Sequence, residues 1–184
     1  MLKRIIVVVL LSLPFAAWAF IKPVRVLAPE LAGVECHGRI CTDAPARLQE
    51  ATALLDEAEQ YVRHNVDDTQ SVPRAIFCSQ PACSEAFGLG SAAARNFGTF
   101  AVVIGHKAWK PYFVRHELIH HLQSERLGSL NNWLLKPTWF REGMAYSLSG
   151  DPRRPLPQPL EGWRAEFEIW YPGKEQLWSE ADRL

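Results

Sequence analysis

His116, Glu117 and His120 are the residues of this chain whose types and spacing could do chemistry. They form the run H-E-L-I-H. On a helix, residues four apart lie on one face, so two imidazoles can aim at a single metal ion. Glu117 is rotated about 100° from His116 and falls beside such an ion, within reach of a water bound to it. A chain of this composition contains the pattern by accident roughly once in a hundred. Here it also sits in a plausible helix. Residues 113–127 hold neither Pro nor Gly, Pro111 precedes them, and Gly128 follows as a stop. Val114, Leu118 and Leu122 form an apolar stripe opposite the two histidines, so this helix can pack while presenting them to a cleft.

A third ligand is sought downstream. Residues 139–149 read as a second helix, with Thr138 as its N-cap and Gly150 as its stop. Trp139, Glu142, Ala145, Tyr146 and Ser149 share one face of it. Glu142, 22 positions after His120, can complete a three-ligand site with water in the fourth position. Gly143 beside it removes a side chain where two helices approach closely. Tyr146 lies one turn further on the same face and is the first candidate to donate to an oxyanion. His121, four residues after Glu117, is the second.

H-E-L-I-H followed by W-F-R-E-G-M-A-Y resembles the gluzincin branch of the zincin metallopeptidases. In that branch the third ligand is a Glu on a second helix. The resemblance covers residues 99–150. It implies one zinc ion per chain on His116, His120 and Glu142, with Glu117 as general base and acid, and a peptide or protein as substrate. The extension that marks metzincins is absent. In zincins a strand placed like residues 99–104 is the sheet edge that binds extended substrate; a simple core strand fits the same residues. Trp109, Trp133 and Trp139 flank the site in sequence and suit either apolar subsites or core.

The elements that must position this site are legible in outline. Residues 24–27 read as a strand and 33–42 as a disulfide-closed turn. Asp43 is expected to cap a helix over 46–64, whose inward stripe is Leu48, Ala51, Leu55, Ala58 and Val62. Residues 74–78 read as a strand and 88–98 as a loop. Four prolines in 151–159 enforce an extended strap, and 161–170 read as a last helix. The expected class is α+β: a small zincin-like domain with a short sheet, the H-E-x-x-H helix and a second ligand helix.

Residues 1–19 read as a secretory signal: Lys3 and Arg4, an apolar run at 5–13, and Ala17-Trp18-Ala19 before Phe20. The run is shorter than the twenty or so residues that span a bilayer, yet residues 14–21 carry no charge, so an uncleaved anchor stays open. Residues 20–184 are then a single domain of about 165 residues, exported to a periplasm or secreted, meeting a membrane only if the segment remains. Two cysteine pairs of equal spacing, Cys36 with Cys41 and Cys78 with Cys83, suggest two local disulfides. A four-thiolate zinc site is the rival. Twenty basic and twenty acidic residues leave no net charge, which argues against nucleic acid. There are no internal repeats. His37 and His106 have no evident role.

The leading function is an exported zinc metallopeptidase. A zinc amidase acting on cell-wall peptides shares the same core, and a non-catalytic exported binding or assembly module is the alternative from another class.

Overall fold

The computed structural model describes residues 17–184. The signal reading of residues 1–19 falls almost wholly outside them. The architecture is mixed α+β, with a small five-stranded sheet. The strands are β1 (Glu35–His37), β2 (Ile40–Thr42), β3 (Arg74–Phe77), β4 (Ala94–Phe97) and β5 (Ala101–Ile104). Their spatial order is β1-β2-β3-β5-β4. The three inner strands run parallel, and the outer strands β1 and β4 are antiparallel to their neighbours.

Parallel strands need crossovers, and strands covered on both faces become continuously apolar. Both consequences are seen. Helix α1 (Leu48–Asn65) links β2 to β3, and helix α2 (Pro81–Ala86) follows β3. Ala75, Phe77, Val102 and Ile104 enter the larger core, shared with the long helices. Ile76, Ala101 and Val103 turn to a smaller core with Val26, Phe87 and Leu89.

Helix α3 (Pro111–Leu127) is the spine of the larger layer. Pro111 starts it where a missing N–H costs nothing, and Gly128, at φ +79°, ends it. It packs on α1, on β4 and β5, and on helix α5 (Thr138–Leu148); helix α4 (Ser129–Leu134) bridges α3 to α5. Val114, Leu118 and Leu122 are all buried, as the stripe predicts, and so are Ala51, Leu55, Ala58 and Val62 of α1. Helix α6 (Leu160–Trp170) lies against α5, and a short α7 (Leu177–Ala181) follows it, so 161–170 is not the last helix.

Gly143 is the point of closest approach between α5 and α6. A Cβ there would lie 2.2 Å from the carbonyl oxygen of Trp163 and 2.7 Å from Cβ of Phe167. Backbone cannot yield as a flexible side chain does. Gly143→Ala is therefore expected to destabilise the fold by about 3 kcal/mol or more, read as a lowered denaturant midpoint. An unchanged midpoint would show that the two helices separate freely.

Both disulfides form as expected, and none of the described cysteines is free. Cys36–Cys41 joins directly opposed residues of the β1–β2 hairpin, and Cys78–Cys83 staples the end of β3 to α2. The four-thiolate zinc site is thereby excluded. Among the described residues no helix is long and apolar enough to cross a membrane.

Five local readings need correction. Residues Lys22–Leu27 form a 3-10 helix rather than a strand. Pro23 supplies its first turn, and Val26 drops into the smaller core instead of pairing. Asp43 does not cap α1, which is preceded by a 3-10 turn at Pro45–Arg47; its carboxylate accepts the backbone N–H groups of Ser79 and Gln80 ahead of α2. Thr138 is the first residue inside α5 and Pro137 occupies the cap, with no side-chain cap bond. Residues 94–97, read as loop, are strand β4. Residues 101–104 are then an interior strand between β3 and β4, so the sheet edge is β4. An outer strand can carry Arg95 and Asn96, which hid it from an apolar-pattern reading.

Candidate metal centre

Helix α3 brings His116 and His120 together because they lie one turn apart on its cleft-facing side. Their Nε2 atoms are 3.1 Å apart. Helix α5 crosses α3 so that the Glu142 carboxylate faces both. Oε2 is 3.6 Å from Nε2 of His116, and Oε1 is 3.5 Å from Nε2 of His120. All three residues offer donor atoms within 4.8 Å of one another. Around a tetrahedral ion with bonds of about 2.0–2.1 Å, neighbouring donors lie about 3.3 Å apart. The observed spacings bracket that value, so the three side chains fit a metal ion with little movement. Two imidazoles and one carboxylate suit zinc and other first-row divalent ions alike, and the donors alone do not choose among them.

Each histidine must expose a lone pair at Nε2. For His120 this is arranged by Gln123, whose Oε1 lies 2.9 Å from Nδ1 of His120 while its Nε2 donates to the carbonyl of Arg141. The second bond fixes the amide orientation, so Oε1 accepts from Nδ1–H and, in the neutral ring that binds a metal, the lone pair is left at Nε2. Sequence reasoning passed over Gln123. Its position one turn after His120 was the available signal. Gln123→Ala is expected to weaken metal binding about 10- to 100-fold with the fold intact. Titration against a competing chelator measures this, and an unchanged affinity would mean that Gln123 orients nothing.

Charge is concentrated in the cluster. Burial works against ionised Glu142, but His120 and His116 outweigh it and hold the carboxyl far below the usual carboxylate range. Burial likewise opposes a charged His120, yet the Glu142 carboxylate raises it to about 9. Without a metal, His120 and Glu142 thus form an ion pair, in which a cation can replace the proton. Glu117 is buried beside the pair, and desolvation raises its pKa despite the two neighbouring imidazoles. Its carboxyl meets the β4 backbone at Asn96, and it is not one of the three grouped donors. Tyr146 packs its ring 4.4 Å from that of His116, centroid to centroid. Burial, aided by Glu142, pushes its phenol up to about 12, so it keeps its proton and can donate.

The cluster opens into a cleft of about 570 Å³. Strand β4 forms one wall, and its outer edge has no strand partner among the described residues. Helix α4 contributes Leu130 and Trp133 to the rim and Asn132 to the wall; the Oδ1 of buried Asn132 has no hydrogen-bond partner there. The proline strap supplies Asp151 and Arg153, paired through two-pronged contacts, with the guanidinium lying over Phe113. Fully buried Arg164 holds the carbonyl of Arg153 and pairs with Glu161, which in turn accepts the backbone N–H of Leu156. The strap is therefore a cleft wall fastened at two points. The strap's four prolines do not reveal that use, because the bond that holds the strap backbone at Arg153 comes from Arg164 of α6.

Not every candidate reaches the cleft. His121 is fully buried on the far side of α3, its Nε2 near the Ser71 carbonyl and Glu125, so it is no oxyanion donor. Trp109 packs edge-on against Phe77 and donates to the Cys78 carbonyl, and Trp139 packs against Phe140 and Trp170; only Trp133 of the three lines the cleft. His37 pairs with Glu35 and His106 with Ser84. No protein-family model, curated protein or solved structure matches the chain.

Proposed function

We propose that this protein is an exported zinc-dependent metallopeptidase of zincin type. The observation that carries the proposal is the convergence of His116, His120 and Glu142 from two helices, with Glu117 beside them and outside the donor set. The edge of β4 next to α3, which has no strand partner among the described residues, supports it, since an extended peptide can add to such an edge by main-chain hydrogen bonds. The two disulfides agree with an oxidising, exported setting.

A bound zinc ion supplies a Lewis acid that polarises the scissile carbonyl and acidifies a water. The chain's own residues do the rest. Gln123 keeps the lone pair of His120 directed into the site. Glu117, whose pKa burial raises, takes the water's proton on a carboxylate oxygen and later returns it to the leaving nitrogen. The Tyr146 hydroxyl donates to the oxygen on which negative charge develops. The β4 edge fixes the peptide's register, so that the bond to be cut lies over the cluster.

Metal content is the direct test. The chain, purified without chelator or metal-affinity resin, is expected to carry about one zinc by elemental mass spectrometry, and Glu142→Ala to lose most of it. A folded wild type that takes up no zinc after incubation with the ion ends this reading.

A further inference from the structure

The surface beside the cleft is unusually apolar. Leu27, Phe100, Leu130, Trp133, Leu134 and Leu135 expose from 60 to 73% of their surface. Residues 127–135 contain no charged side chain at all, although the chain as a whole is about one-fifth charged. Large apolar groups exposed singly are ordinary; contiguous ones mark a surface that is covered in use.

The positions that carry these residues are linked to one another through the contacts of their neighbours. The carbonyl of Leu27 accepts from the Arg74 guanidinium at 3.3 Å, and the backbone N–H of Arg74 donates to the carbonyl of Phe100 at 3.2 Å. Two residues before Phe100, Gly98 turns against Ser129, where an added Cβ would sit 2.9 Å from Oγ. Ser129 opens α4, which carries Leu130, Trp133 and Leu134. One edge of the molecule therefore runs from Leu27 through the β4–β5 turn to α4, and its far end is the cleft rim.

A second observation says what covers this edge. The indole of Trp18 donates to the carbonyl of Ala28, and Arg25 holds the carbonyls of Trp18 and Ala19. Residue 18 is thus fastened next to Leu27. In a chain that keeps residues 1–19, the sequence run at 5–13, apolar and continued without charge to residue 21, leads directly into this fastened residue. An apolar edge and an apolar run that enters the described residues beside it are satisfied together by one lipid surface. A Trp among leucines is the composition that settles at a bilayer interface.

We infer that the edge formed by Leu27, Phe100, Leu130, Trp133, Leu134 and Leu135 docks on a lipid bilayer surface, bringing the cleft mouth to the membrane. Leu130 and Trp133 belong to both the edge and the rim, so substrates are met at the bilayer rather than in bulk solvent. The inference holds whichever bond the cleft breaks.

The test is hydrogen exchange on the full chain with and without vesicles of phosphatidylethanolamine and phosphatidylglycerol. Amides in residues 98–101 and 128–135 are expected to slow on vesicle addition, while those of α1 stay unchanged. In the doubly substituted Leu134→Asp, Leu135→Asp chain, partition into vesicles is expected to fall at least about tenfold. Neither side chain lines the cleft, so zinc content and melting temperature are expected to match wild type. Slowing confined to residues 17–28, or unchanged partition in the double variant, overturns the inference. So does protection of 128–135 without vesicles, which would mean that a second copy or the chain's own N-terminal residues cover the edge.

Discussion

Glu117→Gln is expected to keep its zinc and to lose peptide hydrolysis by at least about a thousandfold, or some 4 kcal/mol of barrier. The substitution preserves shape and removes only the ability to accept a proton. Glu117 is outside the triangle of His116, His120 and Glu142, so metal affinity is expected to stay within a few fold. Stability should hold or rise slightly, because the wild-type carboxyl is buried and its charged form is disfavoured there. Metal analysis, melting temperature and turnover on a peptide library together make the measurement. Retained hydrolysis in the variant removes Glu117 as the base. Wild type and variant that both bind zinc and both leave every peptide intact would favour the binding-module alternative.

Metal-free protein is expected to lose stability as pH rises from about 6.5 to about 9, and added zinc is expected to reverse that trend. The direction follows from the folded-state shifts. His120 titrates near 9 when folded, against about 6.5 in an unfolded chain. Its ion pair with Glu142 therefore contributes fully below about pH 6.5 and is gone by about 9, a change on the order of 3 kcal/mol. Glu142 is held low, so its share of the same interaction is present above its ordinary value near 4.5 and is lost in acid. Glu117 is raised, so it opposes folding increasingly above about 4.5. The metal-free optimum thus lies between about pH 4.5 and 6.5. Zinc needs the His120 imidazole deprotonated, so its binding displaces that proton, and its affinity climbs with pH until near 9. At a thousandfold excess over its dissociation constant it adds about 4 kcal/mol, roughly 10 °C in melting temperature for a domain of this size. Calorimetry at pH 6 and 9, with and without zinc, reads all of this. A metal-free melting temperature that is flat across that range would sink the ion-pair account.

The contrast between His121 and Gln123 shows where sequence reading reaches its limit. Both lie on α3 within one turn of His120. The helical period places each on a known side of its own axis, and it does not say what stands opposite. Opposite His121 stands the Ser71 carbonyl, which, with Glu125 one turn further along α3, seals it from the cleft. Opposite Gln123 stands the carbonyl of Arg141, which turns its amide into the orienting partner of His120. Likewise β4 is invisible to an alternation rule. Its residues Ala94–Phe97 become a strand because β5 offers a partner, not because they are apolar.

What the sequence by itself determined was local and periodic. Residues four apart on α3 must share a face, an apolar stripe must be buried, closely spaced cysteines in an oxidising compartment can pair, and a glycine at 143 can admit a neighbour. Only the tertiary structure decided the rest. It carried Glu142 across to the two histidines, held the strap backbone at Arg153 through buried Arg164, and aligned Leu27, Phe100 and Trp133 along one edge. Those juxtapositions depend on how helices and strands far apart in the chain pack, and a residue's neighbours in sequence say nothing of its neighbours across a core.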